Sequence, residues 1–405
     1  MIADIPAKGS GPLSGESLDR QDTGLATRDV VFTFWQETWT DSRQRRYMTP
    51  DRLVQTLLTH ERIKGLLIAD AFRMGPTQVL RRVLGRRPAA IPRRPHPIEI
   101  VSPLRLRRKD PVGEPALRAA YEDYDRRIEA RSRELGLQSP AIITTSPLYA
   151  AYGSLQWAGP VTYYAFDDWS AYDEHEKWWP DYERAYEVIR ERGHRVCAVS
   201  QHLLDRISPT GPAKVVPNGV AGSEWQPPWD APAWADQAPH PRILYTGAVH
   251  RRLDVGAVRE VAERFPNGSV IVVGPVHHED IARELSSIPG VDLRPALPRD
   301  QIAGLTHSAD VCIMPHHRNA LTESMSPLKI YEYVAAGRPV TATDMSPVRN
   351  IHSNVVLVAQ GASFADGVER ALALGPLNEA ERQKFLALNS WRGRHDALLD
   401  LALPD

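Results

Sequence analysis

From Asp29 onward the sequence alternates short apolar runs with longer amphipathic ones, and it does so in two series separated by a stretch rich in Pro, Trp and Ala. Apolar runs of roughly four to eight residues suit strands buried on both faces, and the amphipathic stretches between them suit crossover helices. Each series therefore predicts a parallel, doubly wound α/β sheet. In the first, "DVVFTFWQE", "GLLIAD", "IEIVSPL", "AIITTS", "VTYYAF", "HRVCAVS" and "AKVVPNG" read as strands, with helices over "TPDRLVQTLLTHERI" and "PALRAAYEDYDRRIEARSRELGL". In the second, "RILYTG", "SVIVVGP", "VDLRPAL" and "DVCIMP" are strands, with helices near 254–264, 278–287 and 299–307. The 405 residues are too many for one ordinary core and suit two domains. The expected division is a disordered tail over 1–28, a Rossmann-like domain over 29–222, a linker over 223–241, a second Rossmann-like domain over 242–385 and a terminal helix over 386–405. Two such halves leave a cleft between the carboxyl ends of their strands, where ligands bind in these folds.

Several function classes drop out. A formal charge of −1 gives no global field for nucleic acid. The two cysteines, Cys197 and Cys312, each sit in an apolar run and read as reduced, buried strand residues of a cytoplasmic protein. No apolar stretch has the length of a membrane span, and residues 1–28 lack the apolar centre of a signal peptide. No G-x-G-x-x-G fingerprint follows a strand, which disfavours a dinucleotide enzyme. Residues 81–109 depart from neutrality, with many arginines and one acid, Glu99. They read either as a solvated loop or as a peripheral contact with an anionic membrane.

The segment "SPLKIYEYVAAGRPVTATD", 326–344, carries the most chemistry. Ser326 reads as an N-cap, Pro327 as the first helical residue, and Gly337 as the left-handed residue that ends the helix before a short strand. Leu328, Tyr331 and Ala335 form an apolar stripe, and Lys329, Glu332 and Tyr333 a neighbouring one. A helix start with a lysine in its first turn is a natural seat for phosphate. The competing reading makes Lys329 and Glu332 an exposed ion pair.

"ILYTGAVHRRLD", "VIVVGP", "LPRDQIAGLTHSADVCIMPHH" and "NALTESMSPLKIYEYVAAGRPVTATD" stand in this order, and together they resemble the GT-B glycosyltransferases of family four, in the branch that builds bacterial surface polysaccharides. The likeness is strong over 240–350. In the first domain it rests on "TYYAFDDWSAYD", "VCAVS" and "KVVPNGV". It implies two Rossmann-like domains facing each other across a cleft, a nucleotide-diphosphate sugar as co-substrate in the second, a glycan, lipid-linked or small-molecule acceptor in the first, and no cofactor. It also implies transfer with retention, at the cytoplasmic face of a membrane or in the cytoplasm. Carried onto this sequence, the diphosphate falls to Ser326, Pro327, Leu328 and Lys329 at the helix start and to Arg251 or Arg252, with Gly247 allowing close backbone approach. Glu332 matches the glutamate that holds the ribose hydroxyls. The family's second glutamate is replaced by Ser324, with Glu323 beside it and Asn319 nearby, so these three are the candidates for reading the sugar. Asp167 and Asp168 end a strand where relatives carry a catalytic histidine or aspartate; one is expected to act and the other to cap the next turn. Arg252 and Lys329 complete the expected catalytic set. His250, His277, His278, His316 and His317 have no helical ligand spacing, and no metal is expected. Trp157, Trp169, Trp178 and Trp179 offer aromatic platforms for an acceptor sugar, two of them being expected in the core. The same fold also hosts nucleotide-sugar epimerases, and a noncatalytic nucleotide-sugar binder is the third reading.

Overall fold

A computed structural model describes residues 27–45, 48–74, 89–90, 96–107 and 109–404. The expected tail, apart from its last two residues, and residues 81–88, 91–95 and 108 of the arginine-rich stretch lie outside the described residues.

The first sheet has seven parallel strands in the spatial order Ile98–Val101, Ile63–Ala69, Arg28–Thr33, Ala141–Thr144, Val161–Ala165, Arg195–Ala198, Ala213–Val215. The second has six, ordered Val291–Arg294, Ser269–Val273, Arg242–Thr246, Val311–Met314, Val340–Thr343, Val355–Val358. Every run read as a strand is one. The sixth strand of the second sheet and the helix Phe364–Leu374 after it went unread, because the run is only four residues long and follows a polar Ser-Asn pair. Strand order in the second sheet reverses between Arg242–Thr246 and Val311–Met314, so the loops leaving these two strands diverge and open a crevice.

The strands are buried on both faces, as near-continuous Val, Ile and Leu require: Val30, Val31, Phe32, Leu66, Leu67 and Ile68 are fully enclosed in the first sheet. Cys197 and Cys312 are free and buried in strands.

Residues 223–241 connect the two domains and are packed rather than loose. Trp225 and Ala235 are fully buried in the second domain's core, Trp229 stacks on His307 with ring centroids 4.2 Å apart, and Arg382 donates to the Trp225 carbonyl. Large aromatic area outweighs the prolines, which only stop the stretch from being helix or strand. The terminal helix expected over 386–405 begins later: helix Glu379–Leu388 ends at Asn389-Ser390, and Ser390 Oγ accepts from Gly393 N to cap helix Trp391–Ala402. A serine cap defines a start more strongly than one glycine interrupts a helix. That last helix sets Leu398, Leu399 and Ala402 into the core of the first domain. Ser326, finally, does not cap the helix that follows it. The helix spans Leu328–Ala335 with Pro327 as its flanking residue, and Ser326 is spent elsewhere.

Candidate functional site

At the reversal point of the second sheet a cavity of about 390 Å³ opens toward the first domain. Thr246, Gly247 and Arg252 come from the loop after Arg242–Thr246, Gly274 and Pro275 from the next strand's loop, and His316 from the loop after Val311–Met314. Ser326, Pro327, Leu328, Lys329 and Glu332 close one side, and Asp167 and Phe166 reach in from the first domain.

Lys329 lines the cavity from the first turn of its helix, against Tyr245 and His316. Its ammonium donates to Tyr245 Oη at 3.0 Å, lies 4.3 Å from the centre of that ring, and approaches His316 Nε2 at 3.3 Å. Tyr245 Oη in turn donates to the Ala248 carbonyl. Among the described residues no carboxylate comes within ion-pair distance of Lys329. Burial and then the Arg252 charge hold its pKa well below the usual lysine value, with Glu332 opposing. His316 is likewise driven well below its ordinary value, first by burial and then by Lys329 and Arg252, so it is a neutral imidazole able to accept from the ammonium. Gly247 makes room for all this: its φ is +140°, and a Cβ there would stand 2.9 Å from Lys329 Nζ. A Cβ on Gly274 would meet the Gly247 carbonyl oxygen at 2.0 Å, so both glycines are required by close approach.

Arg252 is the second cation. Its Nη1 rests 3.5 Å from Met325 Sδ and its Nε is buried without a partner. Among the described residues neither Lys329 nor Arg252 has a carboxylate within ion-pair distance, although Glu332 and Asp167 act on them from farther off, so the pair leaves positive potential for a polyanion.

Glu332 does not pair with Lys329, so the exposed ion-pair reading is set aside. Its Oε1 accepts from Arg299 Nη2, and Arg299 also reaches Glu224 Oε2 at 3.1 Å while lying over the Trp225 ring. Arg299 lines the cavity and was missed in the sequence, since nothing in "LPRDQ" links it to a glutamate 33 positions on. Only its place at a helix start, after a strand of the nucleotide half, could have suggested it.

The two adjacent aspartates divide. Asp168 is fully buried and consumed: it accepts from Ser170 N and Oγ and from Tyr186 Oη, and pairs with Arg206 Nε at 2.8 Å. It caps the turn Trp169–Ala171 and does not line the cavity. Asp167 does line it, with Oδ2 accepting from Tyr172 Oη at 2.8 Å and Oδ1 unpartnered. Burial raises its pKa from 3.8 to about 6, against the lowering pull of Tyr172 and Arg252.

Other candidates are not brought together. Arg251 points away, 62% exposed and 3.5 Å from Asp280. Asn319 is exposed, and its Oδ1 caps helix Ala320–Ser324 by accepting from Thr322 N. Glu323 is turned to the far side, bonded to Arg318 and to Ser346 N. Ser324 is fully buried between the domains, where its Oγ lies 3.3 Å from Asp168 Oδ2 and its carbonyl accepts from Ser200 Oγ. Beside it Ser326 Oγ accepts from Asn218 N and its carbonyl from Asn218 Nδ2, while Asn218 Oδ1 accepts from Thr49 Oγ1. Ser324 and Ser326 thus latch the domains together beside the cavity.

A second cavity of about 320 Å³ lies in the first domain, lined by Trp35, Lys109, His175, Trp178 and Tyr182 among others. Trp169 stacks against Trp35 at 3.8 Å behind it, whereas Trp157 is tied to Asp125 and Trp179 to the Tyr172 carbonyl. Among the described residues no helix is long and apolar enough to cross a membrane.

Comparisons with known proteins converge on this geometry. Residues 240–373 match the family described as glycosyl transferases group 1. A Bacillus subtilis (strain 168) protein named as a teichuronic acid biosynthesis glycosyltransferase, TuaH, is 30% identical over 104 residues, 25% of this chain and 26% of that protein. Sucrose-phosphate synthase from Thermosynechococcus elongatus superposes with a TM-score of 0.67 at 16% identity, over 92% of this chain and 98% of that one. An E. coli structure titled trehalose-6-phosphate, bound with UDP-2-fluoro glucose, superposes with a TM-score of 0.65 at 12% identity, over 93% and 100%. The fold is therefore the two-domain GT-B arrangement.

Proposed function

From a carboxy-terminal domain that belongs to the glycosyl transferases group 1 family, we propose that the protein is a glycosyltransferase that moves a sugar from a nucleotide diphosphate to a glycan, lipid-linked or small-molecule acceptor. The observation that carries the reading is the pair Lys329 and Arg252 beside Gly247, with no carboxylate at ion-pair distance among the described residues, at the reversal point of the second sheet. When the bond between the anomeric carbon and the phosphate oxygen breaks, negative charge grows on the diphosphate, and both cations already stand where that charge develops. They need no reorganisation, because Tyr245, His316 and Met325 hold them in place. Glu332, anchored by Arg299, offers its second oxygen to a vicinal diol of the nucleotide ribose. Asp167 faces the same cavity from the acceptor domain, placed to steady positive charge on the sugar or to orient the acceptor hydroxyl. The aromatic cavity around Trp35 and Trp178 is a platform for the acceptor's sugar face. Transfer with retention, and a place in bacterial polysaccharide assembly, follow from likeness to the family and to the teichuronic acid protein.

A panel of nucleotide sugars tests this. Release of nucleoside diphosphate, accelerated by an acceptor, supports transfer, and the anomeric configuration of the product decides retention. Epimer formation would replace the reading with an epimerase, and tight binding without turnover under any acceptor would make the protein a binder.

A further inference from the structure

Beside the donor cavity, three ligand-type side chains from both domains converge. One nitrogen each of His250 and His278 and one carboxylate oxygen of Glu174 all lie within 4.8 Å of one another. His250 Nε2 is already 3.1 Å from Glu174 Oε1, and the two imidazoles meet edge to face with centroids 4.6 Å apart. We propose that Glu174, His250 and His278 form a binding site for a divalent transition-metal ion of the zinc type, and that the ion clamps the two domains across the mouth of the cleft.

The chemistry of the donor set favours such an ion. Two imidazoles and one carboxylate are borderline ligands, suited to zinc or cobalt and poorly matched to magnesium or calcium, which take oxygen. Three protein ligands leave a fourth, open position for water or for His277, whose ring lies 6.3 Å from that of His250.

The backbone holds the histidines as a site would need. His250 follows the strand Arg242–Thr246 and His278 follows the neighbouring strand Ser269–Val273. The Val249 carbonyl accepts from both His277 N and His278 N, at 3.1 and 3.3 Å, and Val249 bridges Val276. His250 is only 8% exposed, and its Nδ1 is enclosed without a partner. Glu174 comes from the turn Asp173–Trp178 of the first domain and is half exposed. Arg251 donates to His278 Nδ1 at a long 3.4 Å and already has Asp280 as its other partner, so an ion that takes His278 leaves Arg251 to that carboxylate.

The site spans the interface, so binding is linked to closure: an ion that holds only the joined form stabilises it in proportion to its occupancy. Sequence spacing gives no hint of this, since the ligands stand 76 and 28 positions apart.

The test uses the full chain freed of metal with a chelator, then titrated with cobalt(II) and zinc. The expected result is one ion per chain, with tetrahedral cobalt absorption bands and a zinc-dependent rise in Tm. His250→Ala and His278→Ala should each abolish the bands, and Glu174→Gln should weaken binding at least tenfold. If the histidine variants bind as the wild type does, the ion sits elsewhere and the site is overturned. If only Glu174→Gln is without effect, the clamp is overturned, because the ion then rests on one domain. Circular dichroism and the metal-free Tm of each variant, measured alongside, report that it has folded. The proposal stands apart from the donor reading, since metal binding is read without any sugar.

Discussion

At the scale of single residues the decisive feature is a lysine kept short of charge. Lys329 lies in the field of Arg252 in a partly enclosed space, with no carboxylate at ion-pair distance among the described residues, and under the proposed function a diphosphate is the anion that meets it. Nucleoside diphosphate binding should raise the Lys329 pKa back toward the ordinary lysine value, seen in calorimetry as proton uptake, over the pH range in which the free protein's Lys329 loses its proton, with a heat that changes with the ionisation enthalpy of the buffer. Lys329→Met should remove the uptake and weaken binding by about 2–3 kcal/mol, the scale of a lost charge-assisted bond. Gly247→Ala should act on the same lysine indirectly: the new methyl crowds Nζ at 2.9 Å and sits at a strained φ, and nucleotide affinity should fall with the fold intact, as read by circular dichroism. Asp167 gives the opposite pH signature. Its folded pKa, about 6, lies above the ordinary 3.8, so its contribution to stability is present below pH 3.8 and is lost as pH rises through 6. Asp167→Asn should consequently stabilise the protein at pH 7.5, by on the order of 2 kcal/mol, and not at pH 3.5, in denaturant titrations. Transfer activity should rise through pH 6 in the wild type and be low and flat in the variant. The adjacent Asp168 looks identical in sequence. Its role was settled by Arg206, Ser170 and Tyr186, none of which announces itself as its partner.

Among elements, the helix Leu328–Ala335 and the strand after it were legible because their punctuation is local: Pro327 before, Gly337 after at φ +76°, and an apolar stripe between. The Trp-rich stretch 223–241 was not legible, because prolines signal a loop while the tryptophans that dock it need a surface to dock on. Arg382 is the bolt between these elements, with Nη1 donating to the carbonyls of Trp225 and Ala335 and the side chain only 4% exposed. Arg382→Ala leaves both carbonyls unsatisfied and should destabilise the second domain by about 2–4 kcal/mol. Loss of the corresponding amount in urea unfolding, with Trp fluorescence as the probe, would verify it; a loss below the measurement error would refute the bolt.

For the whole molecule the question is how two domains present one cleft. The network runs from Arg52 on the first domain to Glu224 at the connection, then to Arg299 and Glu332 at the nucleotide site. A second set, Thr49, Asn218 and Ser326, latches the domains beside the cavity. Asn218→Ala should loosen the closed arrangement by about 1–2 kcal/mol, raising the donor KM more than it lowers kcat, because Asn218 bonds the backbone of the helix start rather than the reacting atoms. Equal effects on both constants would point instead to direct contact at the reaction centre.

The sequence alone determined the two parallel sheets, the burial of their strands, and the punctuation of the helix Leu328–Ala335. Periodicity of two or 3.6 residues, caps and glycine turns are local consequences of backbone geometry. Only the tertiary structure decided which of Asp167 and Asp168 and which of Arg251 and Arg252 face the cleft, and that Glu323 turns away from it. It also decided that Arg299 and Glu174 meet partners far along the chain. Side-chain direction within a loop depends on what the rest of the chain packs against it, and the energy that selects it comes from burial and ion pairing between segments the sequence keeps apart.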